Sequence, residues 1–303
     1  MAETPFLKMH GLGNDFVVLD GRQTDLDLDP FEAKAIADRH LGIGADQVVL
    51  LKNTANADVF MQIFNADGTE VSACGNASRC ISSLVMKEKG RDHIKLETKA
   101  GVLDAFDGGD GMVTVDMGPV RTDWREIPLS EERDTLHLGF QVAQPGDAGK
   151  VLMGDPVGVN VGNPHCVFIV GQPEVVNMAQ IGPIVENSPL FPERTNVSVI
   201  QVVGEDTILA KVWERGTGVT QACGSAACAA LVAAHRRGMI GRSGIVVLPG
   251  GPLGVLWRES DNHVLLTGPV ATVFKGSFDI RRLLMAQIER MRTIGEGPQA
   301  AGA

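Results

Sequence analysis

Two cysteines in matching surroundings are the residues of this sequence best suited to chemistry. One lies in Ala73-Cys74-Gly75-Asn76 and the other in Ala222-Cys223-Gly224-Ser225, about one domain length further along the chain. A polar turn precedes each, and small residues follow that open an apolar helix, Ile81 to Met86 in one case and Ala229 to Ala234 in the other. A free thiol has a pKa of about 8.5, and a helix entrance favours its thiolate. The Gly-Asn and Gly-Ser pairs let backbone N–H groups come close to an anion such as a carboxylate. Two such halves face to face would put one cysteine on each side of one bound molecule. Inverting a carbon next to a carboxylate needs that arrangement, a base on one face and an acid on the other, with coupled titrations. A lone Ala-Cys-Gly reads as core, because cysteine is among the most buried residue types. Recurrence in matched surroundings shifts the balance towards chemistry. Cys80 and Cys228, deeper in their helices, and Cys166, ahead of an apolar strand, read as packing residues.

The composition narrows the classes. With 303 residues, 44% hydrophobic and 21% charged, the chain is an ordinary globular protein of one large or two normal domains. A net charge of −10 and a pI near 5.2 argue against a nucleic-acid partner. No apolar run reaches membrane-span length, and the start of the chain lacks the basic and apolar pattern of a signal peptide, which places the protein in the cytoplasm. There the five cysteines are expected to be thiols, and with no CxxC pair a structural zinc or other metal is not expected. Tyrosine is absent, which removes one common acid–base side chain.

The elements that must position the cysteines follow from the pattern. Residues 6–20 read as two strands around Gly11-Leu12-Gly13-Asn14, with no GxGxxG for a nucleotide. Asn14 is there either a turn former or an inward-facing polar contact. Residues 30–41 read as a helix capped by Asp29, with His40 near its end. Strands at 48–51 and 59–64 lead to Asn65-Ala66-Asp67-Gly68, and a helix over 75–89 stops at Gly90. Short segments at 94–98, 102–105 and 112–117 suggest antiparallel pairing rather than βαβ units. The acidic, proline-bearing stretch 118–135 reads as the domain junction. The second half repeats this logic: strands at 136–144, 157–161 and 167–170, a loop over 183–192, strands at 197–203 and 207–213, then Glu214-Arg215-Gly216 before the second cysteine. A helix over 224–237, strands at 244–248, 253–258 and 263–267, and a strand at 270–274 returning to the first domain complete it. Residues 280–291 carry a helical apolar stripe, and the Gly/Pro/Ala ending from Gly295 is expected to be disordered.

The phrases Lys8-Met9-His10-Gly11-Leu12-Gly13-Asn14, Phe64-Asn65-Ala66-Asp67-Gly68, Gly162-Asn163-Pro164-His165, Phe191-Pro192-Glu193-Arg194-Thr195-Asn196 and Glu214-Arg215-Gly216-Thr217-Gly218, with the two cysteine motifs, closely resemble the diaminopimelate epimerase family from about residue 6 to 276. The resemblance implies an α+β fold of two pseudo-symmetric domains, each a mostly antiparallel, barrel-like sheet wrapped round a central helix. The domains would be 1–121 with about 269–280, and 122–268, followed by a tail over 281–303. It implies conversion of LL- to meso-diaminopimelate for lysine and peptidoglycan precursors, with no cofactor and no metal, in a homodimer.

By the same resemblance Cys223 accepts the α-proton in the LL-to-meso direction and Cys74 donates one. Gly75, Asn76, Gly224 and Ser225 hold the reacting carboxylate. Asn14, Gln47, Asn65, Asn163, Asn196 and Arg215 bind substrate, mostly its distal end. His165 and Glu214 hold the reacting amino group and bias the thiols. Departures are Ala77-Ser78 where the family has Gly-Ala, and Phe274 where many members have a tyrosine at the dimer contact. The alternatives are a proline-type racemase or related isomerase of the same fold, a thiol redox or zinc protein, and a pure binding module.

Overall fold

The computed structural model describes residues 3–24, 26–144 and 147–295. The expectation for the ending from Gly295 therefore falls mostly outside the described residues. The chain divides into two compact units, residues 1–102 with 270–303 and residues 103–269.

In the first unit the strands Thr4–Gly11 and Asn14–Asp20 form a hairpin over Leu12 and Gly13. Both turn residues have positive φ, 55° and 86°, the left-handed geometry that lets a two-residue turn match the strand twist. Asn14 is thus the first residue of the returning strand. That strand lies parallel to Gln47–Lys52 after the crossover helix Pro30–Ala37, and Gln47–Lys52 is antiparallel to Val59–Asn65. Val59–Asn65 pairs parallel with His93–Thr98, and the helix Gly75–Lys89 is the crossover. Segment 94–98 thus closes a βαβ unit, where the short-strand spacing pointed to antiparallel pairing alone. Ala271–Phe278 returns to pair with Thr4–Gly11. The core holds Phe6, Val17, Leu19, Ile36, Val48, Leu50 and Phe64, each burial contributing about 1.5–3 kcal/mol.

The second unit repeats this order. Val157–Asn160 and Pro164–Ile169 form a hairpin, Pro164–Ile169 lies parallel to Asn196–Val203, and Asn196–Val203 is antiparallel to Thr207–Glu214. Thr207–Glu214 is parallel to Ser243–Leu248 across the helix Gly224–Arg236, and Gly251–Trp257 and His263–Pro269 follow antiparallel. That helix packs against seven of these strands, so its residues 226–234 are all buried. Met112–Pro119 joins His263–Pro269, with Leu265 opposite Asp116, and pairs with Gly101–Gly109. Because that ladder belongs to the second unit, its boundary lies at Leu103, nearer the start of the chain than the junction read over 118–135.

Three elements differ from the sequence pattern. The first helix stops at Ala37, not 41, because Asp38 takes the N–H groups of His40 (2.7 Å) and Leu41 (2.8 Å) onto its carboxylate. His40 lies past the helix end. The loop expected over 183–192 starts inside the helix Met178–Glu186, which carries Pro183 in its interior. Met178, Ile181 and Val185 at helical spacing bury one face and offset the missing N–H. In 136–144 only Gln141–Gln144 is strand, paired with Asp147–Gly154. The tail forms the helix Ile280–Gly295, with Ile280 and Leu283 on the first unit's core.

Candidate active site

Both cysteines occupy the same local structure. A strand ends in a tight turn, Asn65 with Gly68 in one unit and Glu214 with Thr217 in the other, closed by backbone bonds of 2.9 and 3.0 Å. A two-residue strand follows, and then the cysteine, extended, as N-cap of its helix. Cys74 has φ −148° and ψ 114°, and Cys223 has φ −132° and ψ 115°. The first helical bonds run to these residues' own carbonyls, from Ser78 at 2.8 Å and Ala227 at 3.1 Å. The N–H groups of Gly75, Asn76, Gly224 and Ser225 therefore lie in the first turn, where no intrahelical acceptor exists for them. No acidic residue lies in either first turn, so the positive end of each helix dipole is left for an anion.

Around Cys74, which is half-buried, the polar groups form a chain of fixed polarity. Arg79, fully buried, donates Nη2–H to Oδ1 of Asn76 at 2.7 Å. Nδ2 of Asn76 donates to Oδ1 of Asn14 at 3.1 Å, and the Cys74 sulfur stands 3.7 Å from the same oxygen. Nδ2 of Asn14 in turn donates to Asp46 at 3.0 Å. Arg39 binds both Asp46 and Asp15, and Lys8 binds Asp15 at 2.6 Å. Burial alone would raise the Asp15 carboxyl, but the Arg39 and Lys8 contacts outweigh it and hold Asp15 well below the usual range. Gln47 and Asn65 face one another across the ladder, with Nε2 of Gln47 donating to Oδ1 of Asn65 at 2.9 Å.

Cys223 is buried, 5% exposed, with its sulfur 3.5 Å from the Ser225 hydroxyl. The helix entrance led to an expectation of a lowered thiol pKa. Instead burial pushes Cys223 well above the ordinary range, and the Glu214 carboxylate adds to this, while Ser225 and the Ala226 N–H oppose it. Desolvation outweighs the helix entrance here. Thr220 donates its hydroxyl to Glu214 and fixes that carboxylate. Burial likewise pushes Cys80 up to about 12, partly opposed by Arg79, and raises Cys166 well above the ordinary thiol range.

The other polar residues picked from the sequence gather in the second unit. Asn163 and Arg215 line a cavity of about 300 Å³, together with Arg125, Glu126, Asn160 and Glu193. Nη1 of Arg215 donates to the Glu193 carbonyl at 3.0 Å, and its backbone N–H donates to Oδ1 of Asn196 at 3.0 Å. Asn196 itself is buried, donating Nδ2 to the Pro164 carbonyl at 2.9 Å. Its side chain thus ties the start of the strand Pro164–Ile169 to the turn at Arg215. His165 is fully buried and bonds Asn163 at 2.8 Å. Burial, reinforced by Arg215, pushes its pKa down to about 3. The sequence did not single out Arg125 and Glu126, which sit in the stretch read as a junction and carry no motif. One group, Asp116, Asp261 and His263, brings ligand atoms within 4.8 Å of each other. The Arg258 guanidinium already binds both carboxylates, at 2.8 and 2.6 Å, where a cation would sit.

A family model described as "Diaminopimelate epimerase" matches residues 6–122 and 157–273. The diaminopimelate epimerase of Rhodospirillum centenum is 52% identical over 273 residues, covering 89% of this chain and 91% of that protein. That of Acidiphilium cryptum is 47% identical over 282 residues, covering 93% and 99%. Among solved structures, a probable proline racemase from Agrobacterium radiobacter K84 with bound carbonate aligns with a TM-score of 0.63 at 17% identity, covering 90% of this chain and 92% of that one. A phenazine biosynthesis protein of the PhzF family from Bacillus anthracis gives 0.62 at 14% identity, covering 91% and 99%. At such identities these structures share the fold alone.

Proposed function

The chain belongs to the diaminopimelate epimerase family and is an isomerase acting on amino acids, and from that premise we propose how its residues carry out the reaction. Cys223 as thiolate takes the α-proton of LL-diaminopimelate, and Cys74 as thiol returns a proton to the opposite face, giving the meso isomer. The S–H bond of Cys223 forms as the C–H bond breaks, and the S–H bond of Cys74 breaks as the new C–H bond forms. The enzyme is left with its proton on the other sulfur. The reacting carboxylate rests on the first-turn N–H groups of Gly75, Asn76, Gly224 and Ser225, where charge builds up as the proton leaves.

The observation that carries this reading is the matched backbone of the two cysteines, each an extended N-cap at a helix start with no acidic competitor. The raised pKa of Cys223 favours the thiol in the free chain and makes its thiolate, once formed, a strong base. An α-C–H is a very weak acid, and a thiolate whose conjugate acid is weaker is the stronger base. Arg215 binds the distal carboxylate, a bidentate role for a guanidinium at the cavity wall. Asn14, Gln47, Asn65, Asn163 and Asn196 shape the pocket for the distal amino-acid end. Glu214 and His165 serve the reacting amino group. We place the enzyme in the cytoplasm as a homodimer. Half-exposed Val273 and Phe274 on the strand Ala271–Phe278 support the contact with a second copy, and light scattering of the purified chain tests it.

The deciding experiment is incorporation of deuterium from heavy water into diaminopimelate. The wild-type chain should exchange the α-hydrogen and invert the centre, while Cys74→Ala and Cys223→Ala each lose inversion. Full inversion by either variant would refute the two-sulfur reading.

A further inference from the structure

Glu186 ends the helix Met178–Glu186 and is buried, yet the chemistry above makes no use of it. Its Oε2 accepts the indole N–H of Trp213 at 2.6 Å. Its Oε1 accepts the backbone N–H of Gly216 at 2.9 Å and a guanidinium N–H of Arg194 at 3.2 Å. Trp213 and Gly216 flank Glu214 and Arg215 in the chain, so one carboxylate grips that pair from both ends. Arg194 brings in a third segment. It has φ +61°, costly for a side chain of this size, and two residues later Asn196 accepts the Arg215 N–H. One turn earlier on the same helix, Gly182 lies so close to Trp213 that a Cβ there would be 2.2 Å from the indole ring. The helix thus seats the indole on a bare backbone and fastens it with the Glu186 carboxylate.

We propose that Glu186 is a positioning residue that sets the placement of Glu214 and Arg215 through the Trp213 indole and the Gly216 amide. This rests on the reading of those two residues as substrate-facing. A carboxylate is suited to the place because it accepts on both oxygens and donates on neither. A glutamine of the same shape accepts on one oxygen only, so at least one of the three donors loses its partner.

The test is steady-state kinetics of diaminopimelate inversion by the full chain. Glu186→Gln should raise KM about tenfold through Arg215 and lower kcat by only about twofold through Glu214, the signature of misplaced binding groups. In an Arg215→Ala background the same change should lower kcat/KM by less than about a further twofold, because both act at one corner. Gly182→Ala, which displaces the indole without altering charge, should reproduce the KM rise. Kinetics of Glu186→Gln equal to wild type, or losses that multiply fully with Arg215→Ala, overturn the proposal. Should Glu186→Gln not fold, Trp213→Phe removes the indole N–H together with part of the ring seated on Gly182, and an unchanged KM there overturns it as well. A wild-type chain that does not turn over diaminopimelate overturns the substrate reading and this inference with it. Turnover by wild type with an unmoved KM in the variants overturns only the inference.

Discussion

His165 gives its Nε2 proton to Oδ1 of Asn163 across 2.8 Å, which leaves Nδ1 buried with no partner among the described residues. The ring is held neutral, with burial and then Arg215 pushing its pKa down to about 3. In the unfolded chain the ring takes up a proton near pH 6.5. The folded value is depressed, so the stability it contributes is present above about pH 6.5 and is lost as pH falls towards about 3. His165→Gln should flatten this acid limb by about one proton, roughly 1.4 kcal/mol per pH unit. Urea melts of both proteins between pH 7 and 4 check it, and equal slopes would sink the assignment.

The Glu214 carboxylate is the second cause, after burial, of the raised Cys223 pKa. Removing its charge should let the thiol ionise at lower pH. We expect Glu214→Gln, made in a Cys74→Ala background, to move the midpoint of Cys223 thiolate formation downward, read from thiolate ultraviolet absorbance. A midpoint that stays put or rises contradicts the contact.

Arg215 joins the cavity wall to the loop of Glu193 and Asn196. Arg215→Ala should raise KM for diaminopimelate by about 10- to 100-fold, as loss of a charged hydrogen bond does, with a smaller fall in kcat. Arg215→Lys should recover little of it, since a point charge does not reproduce the guanidinium fork. Unchanged KM in the alanine variant would move the substrate towards a proline-type amino acid without a second carboxylate.

Gly68 has φ +90°, and a Cβ on it would stand 2.2 Å from the Pro30 carbonyl oxygen. Gly68→Ala therefore faces both an unfavourable conformation and a backbone clash, with a destabilisation on the order of 2–4 kcal/mol. Because this turn presents Asn65, activity should fall with the melting temperature. A melting curve indistinguishable from wild type would show that the turn relaxes freely.

The sequence disclosed the elements whose signals are local. Asp29-Pro30 and Gly90 mark helix ends, and the repeated Ala-Cys-Gly marks the two cysteine helices; the structure has a capping box at Asp29 and a left-handed Gly90. It misjudged the helix at Met178 because Pro183 is locally a breaker, and only burial of Ile181 and Val185 against Phe168 and Val197 outweighs it. The raised pKa of Cys223 was illegible for the same reason. A helix entrance is visible in sequence, whereas desolvation depends on what surrounds the sulfur. The joining of Asn196 to Arg215 and Pro164, and of Glu186 to Trp213, spans segments far apart in the chain and leaves no periodic trace.

The alanine-rich helix that begins at Gly224 touches strands on every side, and none of residues 226–234 is open to solvent. Amides enclosed in this way are expected to exchange hydrogen slowly, and Cys223 is moored to this enclosed part of the unit. Small side chains are also the reason the strands can close so near, which leaves no room for a larger residue to be tried there. Adaptation of this sulfur's reactivity must therefore come through the turn from Glu214 to Thr220, whose Glu214 carboxylate bears on the thiol, rather than through the helix that carries it.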